Sequence, residues 1–293
     1  MTSMEPLVSI GMAVRNCQRT IESATRSILC QTYQNFELLV LDDGSSDETL
    51  KKVRQFDDAR IRIYCDGSHK GLASRLNEAL DLSRGQYFAR MDGDDLAYPN
   101  RLELQFDYMQ KHRDIDLVGA QVIVFRGDGI AVGKRAFPEF HAQICTRPWD
   151  GFLMAHPTFF GKRKWFSRFR YSENLNRAQD QDLLLRAYKA SRFANVQTPL
   201  LGYRGDLESI GSRLAKRWYV MRSMGEEFCR QGEYGFAARG VANHILKGGI
   251  DGLTWMAGLR RIQTSFQVSP MRDGEDSAWR DVWQLCHQTT PSR

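Results

Sequence analysis

Four times within the first 114 residues, an apolar run of strand length is followed by a stretch with helical spacing. This alternation limits the fold more than any other property of the chain. "LVSIGMAV" (7–14) precedes "TIESATRSILCQ" (20–31), where Ile21, Ala24, Ile28 and Leu29 share a helical face behind Thr20, a natural N-cap. "FELLVLDD" (36–43) precedes "DETLKKVRQF" (47–56), and "IRIYC" (61–65) precedes "GLASRLNEALDLSRG" (71–85), which Gly85 should stop. "QYFARMDGDD" (86–95) precedes "PNRLELQFDYMQKHRD" (99–114), with Pro99 near the helix start. Connections of this length imply parallel neighbours joined by right-handed crossovers. The expected fold is therefore α/β, with a central, mostly parallel sheet of the nucleotide-binding type flanked by helices. Ligands of such sheets lie outside the carboxyl ends of the strands. Polar clusters occur at three of those ends, "RN" (15–16), "DDGSSD" (42–47) and "DGDD" (92–95), and should share one crevice.

Beyond this region the pattern changes. "IDLVGAQVIVF" (115–125) predicts one or two further strands, residues 126–200 are less regular, and Leu183, Leu184, Ala187 and Tyr188 predict a helix over 182–190. Residues 207–262 read as helical again and 263–293 as polar. The expected division is an α/β domain over 1–206, with a first half over 1–114 and a second over 115–206, followed by a helical C-terminal extension over 207–293.

The length of 293 residues is enough for a sizeable core. The net charge of +6 suits anionic substrates or lipid head groups and does not call for nucleic acid. Six cysteines, none in a Cys-x-x-Cys pair, read as reduced thiols of a cytoplasmic protein. The first residues lack the basic-then-apolar pattern of a secretory signal, and no apolar run is long enough to span a bilayer.

Asp92, Asp94 and Asp95 fall within four residues at the end of a strand. Like charges this close repel, so a cation should accompany them. Oxygen ligands suit Mg²⁺ or Mn²⁺, with magnesium typically held by one or two carboxylates plus substrate phosphates. An isolated Asp-x-Asp is more often an acidic turn capping the next helix, but here two further polar clusters accompany it. Asp42 or Asp43 follows an apolar strand and can accept hydrogen bonds from a base or ribose, while Ser46 and Asp47 suit capping.

Taken in order, "VSIGMAVRNCQRT…FELLVLDDGSSDET", "GLASRLNEAL…RGQYFARMDGDDLAYPNRLELQ" and "AHPTFFGKRKWF…YSENLNRAQDQDLLLRA" resemble the family-2 glycosyltransferases of the GT-A fold over about residues 7–204. The resemblance implies an inverting sugar transfer from a nucleotide-diphosphate sugar, UDP-sugars being the commonest donors, with Mn²⁺ or Mg²⁺ as cofactor. By position, Asp43 matches the aspartate that bonds the nucleobase, and Ala13 and Val14 match strand-end residues lining the nucleotide. Asp92 and Asp94 match the Asp-x-Asp acids, the first facing ribose or a metal-bound water and the second the metal, with Asp92 and Asp95 as further candidate metal ligands. Lys70 and Arg75 are candidates to face the nucleotide. Inversion needs a base for the acceptor hydroxyl; the resemblance assigns it to Asp180, with Asp182 as the fallback.

The chain departs from the family pattern at several points. Gln179 replaces the usual glutamate before the base, Ala13 replaces a proline and Arg15 an aromatic residue. His156 matches an acceptor-side segment, although a lone histidine is more often structural. Trp149 and Trp165 suit either core packing or sugar stacking, and Arg204 of "YRGD" could reach a diphosphate. The basic, aromatic tail stretches "SRLAKRWYVMR" and "MAGLRRIQTSF" suit a helical cap, or contact with the inner face of a membrane bearing a lipid-linked acceptor. Two other readings compete. A nucleotidyltransferase would carry a glycine-rich phosphate loop that "AVRNCQRT" lacks, and a non-catalytic relative would not need Asp43, Asp92, Asp94 and Asp180 together.

Overall fold

The computed structural model describes residues 6–205, 209–257 and 268–288. Asp206 of "YRGD" and residues 258–266 of the second basic stretch lie outside them. The chain opens with β1 (Val8–Val14), α1 (Ile21–Leu29), β2 (Phe36–Asp42), α2 (Thr49–Val53), β3 (Ile61–Cys65), α3 (Leu72–Leu82) and β4 (Tyr87–Asp92). It continues through β5 (Leu96–Ala97), α4 (Arg101–Lys111), β6 (Leu117–Phe125), β7 (Ala131–Arg135), α5 (His141–Ile144), β8 (Phe160–Lys162), α6 (Arg163–Phe169), α7 (Gln179–Ala187) and β9 (Phe193–Arg204). The C-terminal helices are α8 (Ile210–Arg230), α9 (Tyr234–Met256) and α10 (Glu275–His287).

The strands form one sheet in the order β3-β2-β1-β4-β8-β6-β9-β5, with β7 beside β6. The first four run parallel, as the alternation predicts. Beyond β4 the sheet is mixed: β8 is antiparallel to both β4 and β6, while β6 and β9 are parallel. The segment 115–125 forms the single strand β6. Val8, Ile10, Met12, Leu38 and Val40 are fully buried, which accounts for the continuous apolar runs of these strands.

Two expected helix signals work differently. Thr20 sits at the N-cap of α1 without capping it; its hydroxyl donates instead to the Gly93 carbonyl at 2.8 Å. Helix α3 ends at Leu82, before Gly85, because Ser83 turns to an extended conformation. Gly85 serves another purpose: a Cβ there would stand 2.6 Å from the Leu7 carbonyl oxygen.

Met224 and Phe228 of α8 and Ala237 of α9 share a cluster with α3, α6 and α7. Helix α10 returns to the far edge of the sheet, where Trp279, Val282 and Cys286 pack with Leu96, Ile123 and Phe125.

Candidate active site

Strand register brings the polar clusters together. Val14 pairs with Asp42, and Ala13 pairs with both Leu41 and Asp92. The Asp43 N–H donates to the Val14 carbonyl at 2.8 Å. The acid turn is drawn in close behind: a Cβ on Gly93 would lie 2.8 Å from Val14 Cγ1.

Asp43 is 5% exposed, and its carboxylate gathers the loop before α3. It accepts from His69 Nδ1 (2.7 Å), from the Lys70 and Gly71 N–H groups (2.7 and 3.1 Å) and from Arg75 Nε (3.1 Å). Burial opposes ionisation, but these donors outweigh it and hold the carboxyl below its usual range. Gly71 is needed here because its φ is +88°, and its N–H must reach Asp43 from that conformation. Arg75, a sequence candidate for nucleotide contact, is 1% exposed and lies beneath the loop. All of its N–H groups go to Asp43, Asp66, Glu78 and the Ser68 carbonyl, so it supports the loop and has no donor left for a ligand. Lys70 pairs with Asp66 at 2.5 Å. Arg15 reaches His69 Nε2 at 3.0 Å; with the guanidinium donating there, the ring proton sits on Nδ1, facing Asp43. A cavity of about 250 Å³ opens beside this loop, lined by His69, Lys70, Gly71, Glu173 and Asn176 among others.

The acid turn is balanced from within by arginines. Arg90 is 3% exposed and pairs with Asp92 through Nη2, while its Nε and Nη1 have no partner among the described residues. Arg101 is fully buried and donates to the Arg90 carbonyl at 2.7 Å; burial and then the Arg90 charge push its pKa down to about 9. Arg204 donates through its N–H to Asp95 (2.8 Å) and through Nε to the Asp94 carbonyl (2.9 Å), with its guanidinium over the Phe125 ring. Asp95 is 1% exposed, and burial, then the charges of Asp92 and Asp94, push its carboxyl well upward. Asp94 lies at the outer edge of the turn, where the protein around it and then Asp92 push its pKa up to about 6.

Carboxylate oxygens of Asp92, Asp94 and Asp95 can all lie within 4.8 Å of one another, and Asp95 Oδ2 is buried without a partner. An all-oxygen set of this kind fits Mg²⁺ or Mn²⁺. Sequence reasoning missed Arg90 and Arg101. The available signal was an arginine inside the apolar strand β4, two residues before Asp92, since a buried charge must be paired.

Asp180 stands in the first turn of α7, after Ala178 at φ +60°, and its Oδ2 accepts from Gln181 Nε2 at 3.2 Å. Burial pushes the Tyr171 phenol upward, with the Arg90 charge opposing that shift and the charges of Asp180 and Asp92 adding to it. Asp182, the fallback, is 8% exposed and already accepts from Ser172 (2.6 Å), Arg186 (2.8 Å) and Ser223 (2.8 Å), tying α7 to α8. His156 Nε2 bonds the Tyr171 hydroxyl at 3.0 Å; burial, then the Arg90 charge, hold the ring well below its usual pKa and hence neutral. Trp165 is a core residue bonded to Ser191 Oγ, and Trp149 packs between Phe236 and Arg239.

A parallel strand set with a nucleotide-type crevice at its carboxyl ends and an acid turn beside it marks a glycosyltransferase of the GT-A fold. The profile of glycosyl transferase family 2 matches residues 9–170, more than half of the chain, and the protein belongs to that family. The nucleotidyltransferase reading falls with this match. The Bacillus subtilis protein EpsE is 35% identical over 216 residues, 71% of this chain and 76% of its own length. The UDP-Glc:alpha-D-GlcNAc-diphosphoundecaprenol beta-1,3-glucosyltransferase WfgD of Escherichia coli is 40% identical over 133 residues, 45% of this chain and 52% of its own. Among solved structures, S. aureus TarS 1-349 in complex with UDP-GlcNAc superposes with a TM-score of 0.66 at 17% identity, covering 96% of this chain and 82% of that one. At that identity the likeness concerns the fold.

Proposed function

We propose that the protein transfers a sugar, with inversion, from a UDP-sugar to a hydroxyl of a saccharide or lipid-linked acceptor in the assembly of a cell-surface polysaccharide. In this reading Ala13, Val14 and the loop gathered by Asp43 hold the nucleotide. Asp94, with Asp92 and Asp95, would hold Mn²⁺ or Mg²⁺, which when bound supplies positive charge to the donor diphosphate. Arg90 keeps Asp92 oriented. Asp180 accepts the proton of the attacking hydroxyl as the new glycosidic C–O bond forms and the bond from the anomeric carbon to the diphosphate oxygen breaks. Gln181 orients that carboxylate. The observation that carries the reading is the acid turn at the end of β4, where oxygens of Asp92, Asp94 and Asp95 lie within 4.8 Å of one another beside Ala13 of β1, which pairs with Asp92. Related proteins lend support: WfgD is named for a lipid-linked acceptor, WbnJ for O-antigen biosynthesis, and a fold neighbour was solved with GDP-Man and Mn²⁺.

Asp180→Asn tests the reading. Transfer should fall by a factor on the order of 10²–10⁴, while thermal stabilisation by UDP with Mn²⁺ stays as in the wild type. Near-normal transfer by the variant would remove Asp180 from the mechanism.

Contact with a membrane belongs to the same proposal. No helix of the described residues is long and apolar enough to cross a bilayer. Trp218 of α8 and Leu246, Ile250 and Leu253 of α9 are nevertheless exposed. Arg217 turns inward to Asp251 at 2.5 Å, and Lys247 turns to Asp150, leaving an apolar outer face on α9. Such a face suits shallow insertion among lipid head groups. The protein should sediment with vesicles containing phosphatidylglycerol, and a Leu246→Asp, Ile250→Asp variant should lose most of that binding. A wild-type protein that stays in the supernatant would exclude membrane contact.

A further inference from the structure

A cavity beside α7 has none of the donor-crevice residues in its wall. It measures about 540 Å³ and is bounded by α5 and the following loop, by Gln181 of α7, and by Val220, His244 and Lys247 of α8 and α9. That volume falls in the range of roughly 300–1,000 Å³ typical of small-molecule sites. Of its lining residues, Gln181, Val220, His244 and Lys247 lie beyond the family match, which stops at residue 170.

Its chemistry is unfinished. His244 is 7% exposed, and neither ring nitrogen has a partner among the described residues. Burial, then the charges of Lys247 and Arg217, push its pKa down to about 4, so the ring is neutral, with one N–H donor and one bare nitrogen acceptor. A buried pair of this kind left unsatisfied costs free energy, and a hydroxyl, both donor and acceptor, satisfies either nitrogen. Asp150 faces the same space, held by Lys247 and by Asn243 Nδ2 at 2.8 Å. Gln143 adds an amide, while Ile144, Phe152 and Val220 add apolar surface. Arg147 and Lys247 against Asp150 leave a formal balance of one positive charge, little for a multiply charged phosphate. Hydroxyl-matching groups beside apolar walls fit a polyhydroxylated, essentially neutral ligand.

The cavity also adjoins the chemistry. Gln181 Oε1 accepts from the Phe152 N–H at 2.7 Å while its Nε2 reaches Asp180 Oδ2 at 3.2 Å. One side chain thus forms part of the cavity wall and touches the carboxylate assigned as base.

We infer that this cavity, closed by the α8–α9 hairpin, binds a saccharide unit of the acceptor, with His244 as its central hydrogen-bonding group. The inference rests on the proposed glycosyl transfer for its meaning but names a separate binding site.

The test is saturation-transfer NMR on the whole chain with UDP and Mn²⁺ present, using N-acetylglucosamine, N,N′-diacetylchitobiose and lactose as probes. At least one should receive saturation from the wild type. His244→Leu, which replaces the polar ring by an apolar side chain, and Val220→Trp, which fills the cavity, should each reduce that signal at least tenfold. Both variants should keep the wild-type stabilisation by UDP and Mn²⁺, which shows that they are folded. No transfer to any of the three sugars, or transfer that survives both substitutions, overturns the inference and leaves His244 facing water only. The two readings fail separately. Stabilisation by UDP without saccharide binding sinks this site alone, whereas saccharide binding without any UDP effect sinks the donor assignment.

Discussion

Arg90 shows why the acid turn can exist. Three carboxylates in four residues call for cations, and the chain supplies Arg90, Arg101 and Arg204 around them. Asp94 and Asp95 are nevertheless pushed above the usual carboxylate range, so a metal ion would supply positive charge that the arginines leave short. Replacing Arg90 with Met removes two orphaned N–H groups, worth about 1–3 kcal/mol in relief. It also strips Asp92 of its buried partner, which costs about 3–5 kcal/mol. The loss should win, and urea unfolding of metal-free Arg90→Met should show a protein weaker by about 2 kcal/mol. An unchanged midpoint would mean that Arg101 and Arg204 suffice. At this scale the sequence was informative about which acids gather, because Asp43, Asp92 and Asp94 follow apolar strands. It was silent on how their neighbours are used. Arg75 is a conspicuous cation near the crevice in sequence, yet Asp43, Asp66, Glu78 and Ser68 take all of its donors in space.

Among the elements, the short loop before α3 does the most for the site relative to its length. Its backbone N–H groups at Lys70 and Gly71 converge on Asp43, and that convergence requires the positive φ of Gly71. Gly71→Ala should cost about 1–3 kcal/mol, since φ +88° with ψ 162° is a conformation that a Cβ disfavours. It should also weaken UDP binding in calorimetry, because the loop carrying His69 and Lys70 would shift. Unaltered UDP affinity would separate the loop from the nucleotide. The helices flanking the crevice were legible from their spacing, but their ends were not. Thr20 has capping chemistry, but the Gly93 carbonyl lies within reach and takes its hydroxyl, so a contact from residues distant in sequence outcompetes the local one.

For the molecule as a whole, the C-terminal helices pack into the clusters around the sheet. Trp279 of α10 is 1% exposed, stacks near Phe125 and occupies the space that a side chain at Gly202 would need. Trp279→Ala should cost about 3–5 kcal/mol in a single cooperative urea transition. A separate, earlier transition would make α10 an independent appendage. The helical pattern from residue 207 on reads as an extension, and the few large apolar residues of the polar stretch 263–293 carry their meaning only once they face the sheet edge.

The sequence by itself determined the parallel half of the sheet, the crevice at its strand ends and the identity of the acids that meet there. Period and strand-end chemistry are local properties, and parallel crossovers leave little freedom in how such units assemble. Only the tertiary structure decided that Arg90 and Arg204 attend the acid turn, that Asp182 belongs to the joint between α7 and α8, and that His244 faces a cavity near Asp180. Those are contacts between segments far apart in the chain, fixed by how helices pack on the sheet and on each other, and local sequence patterns do not encode such distances.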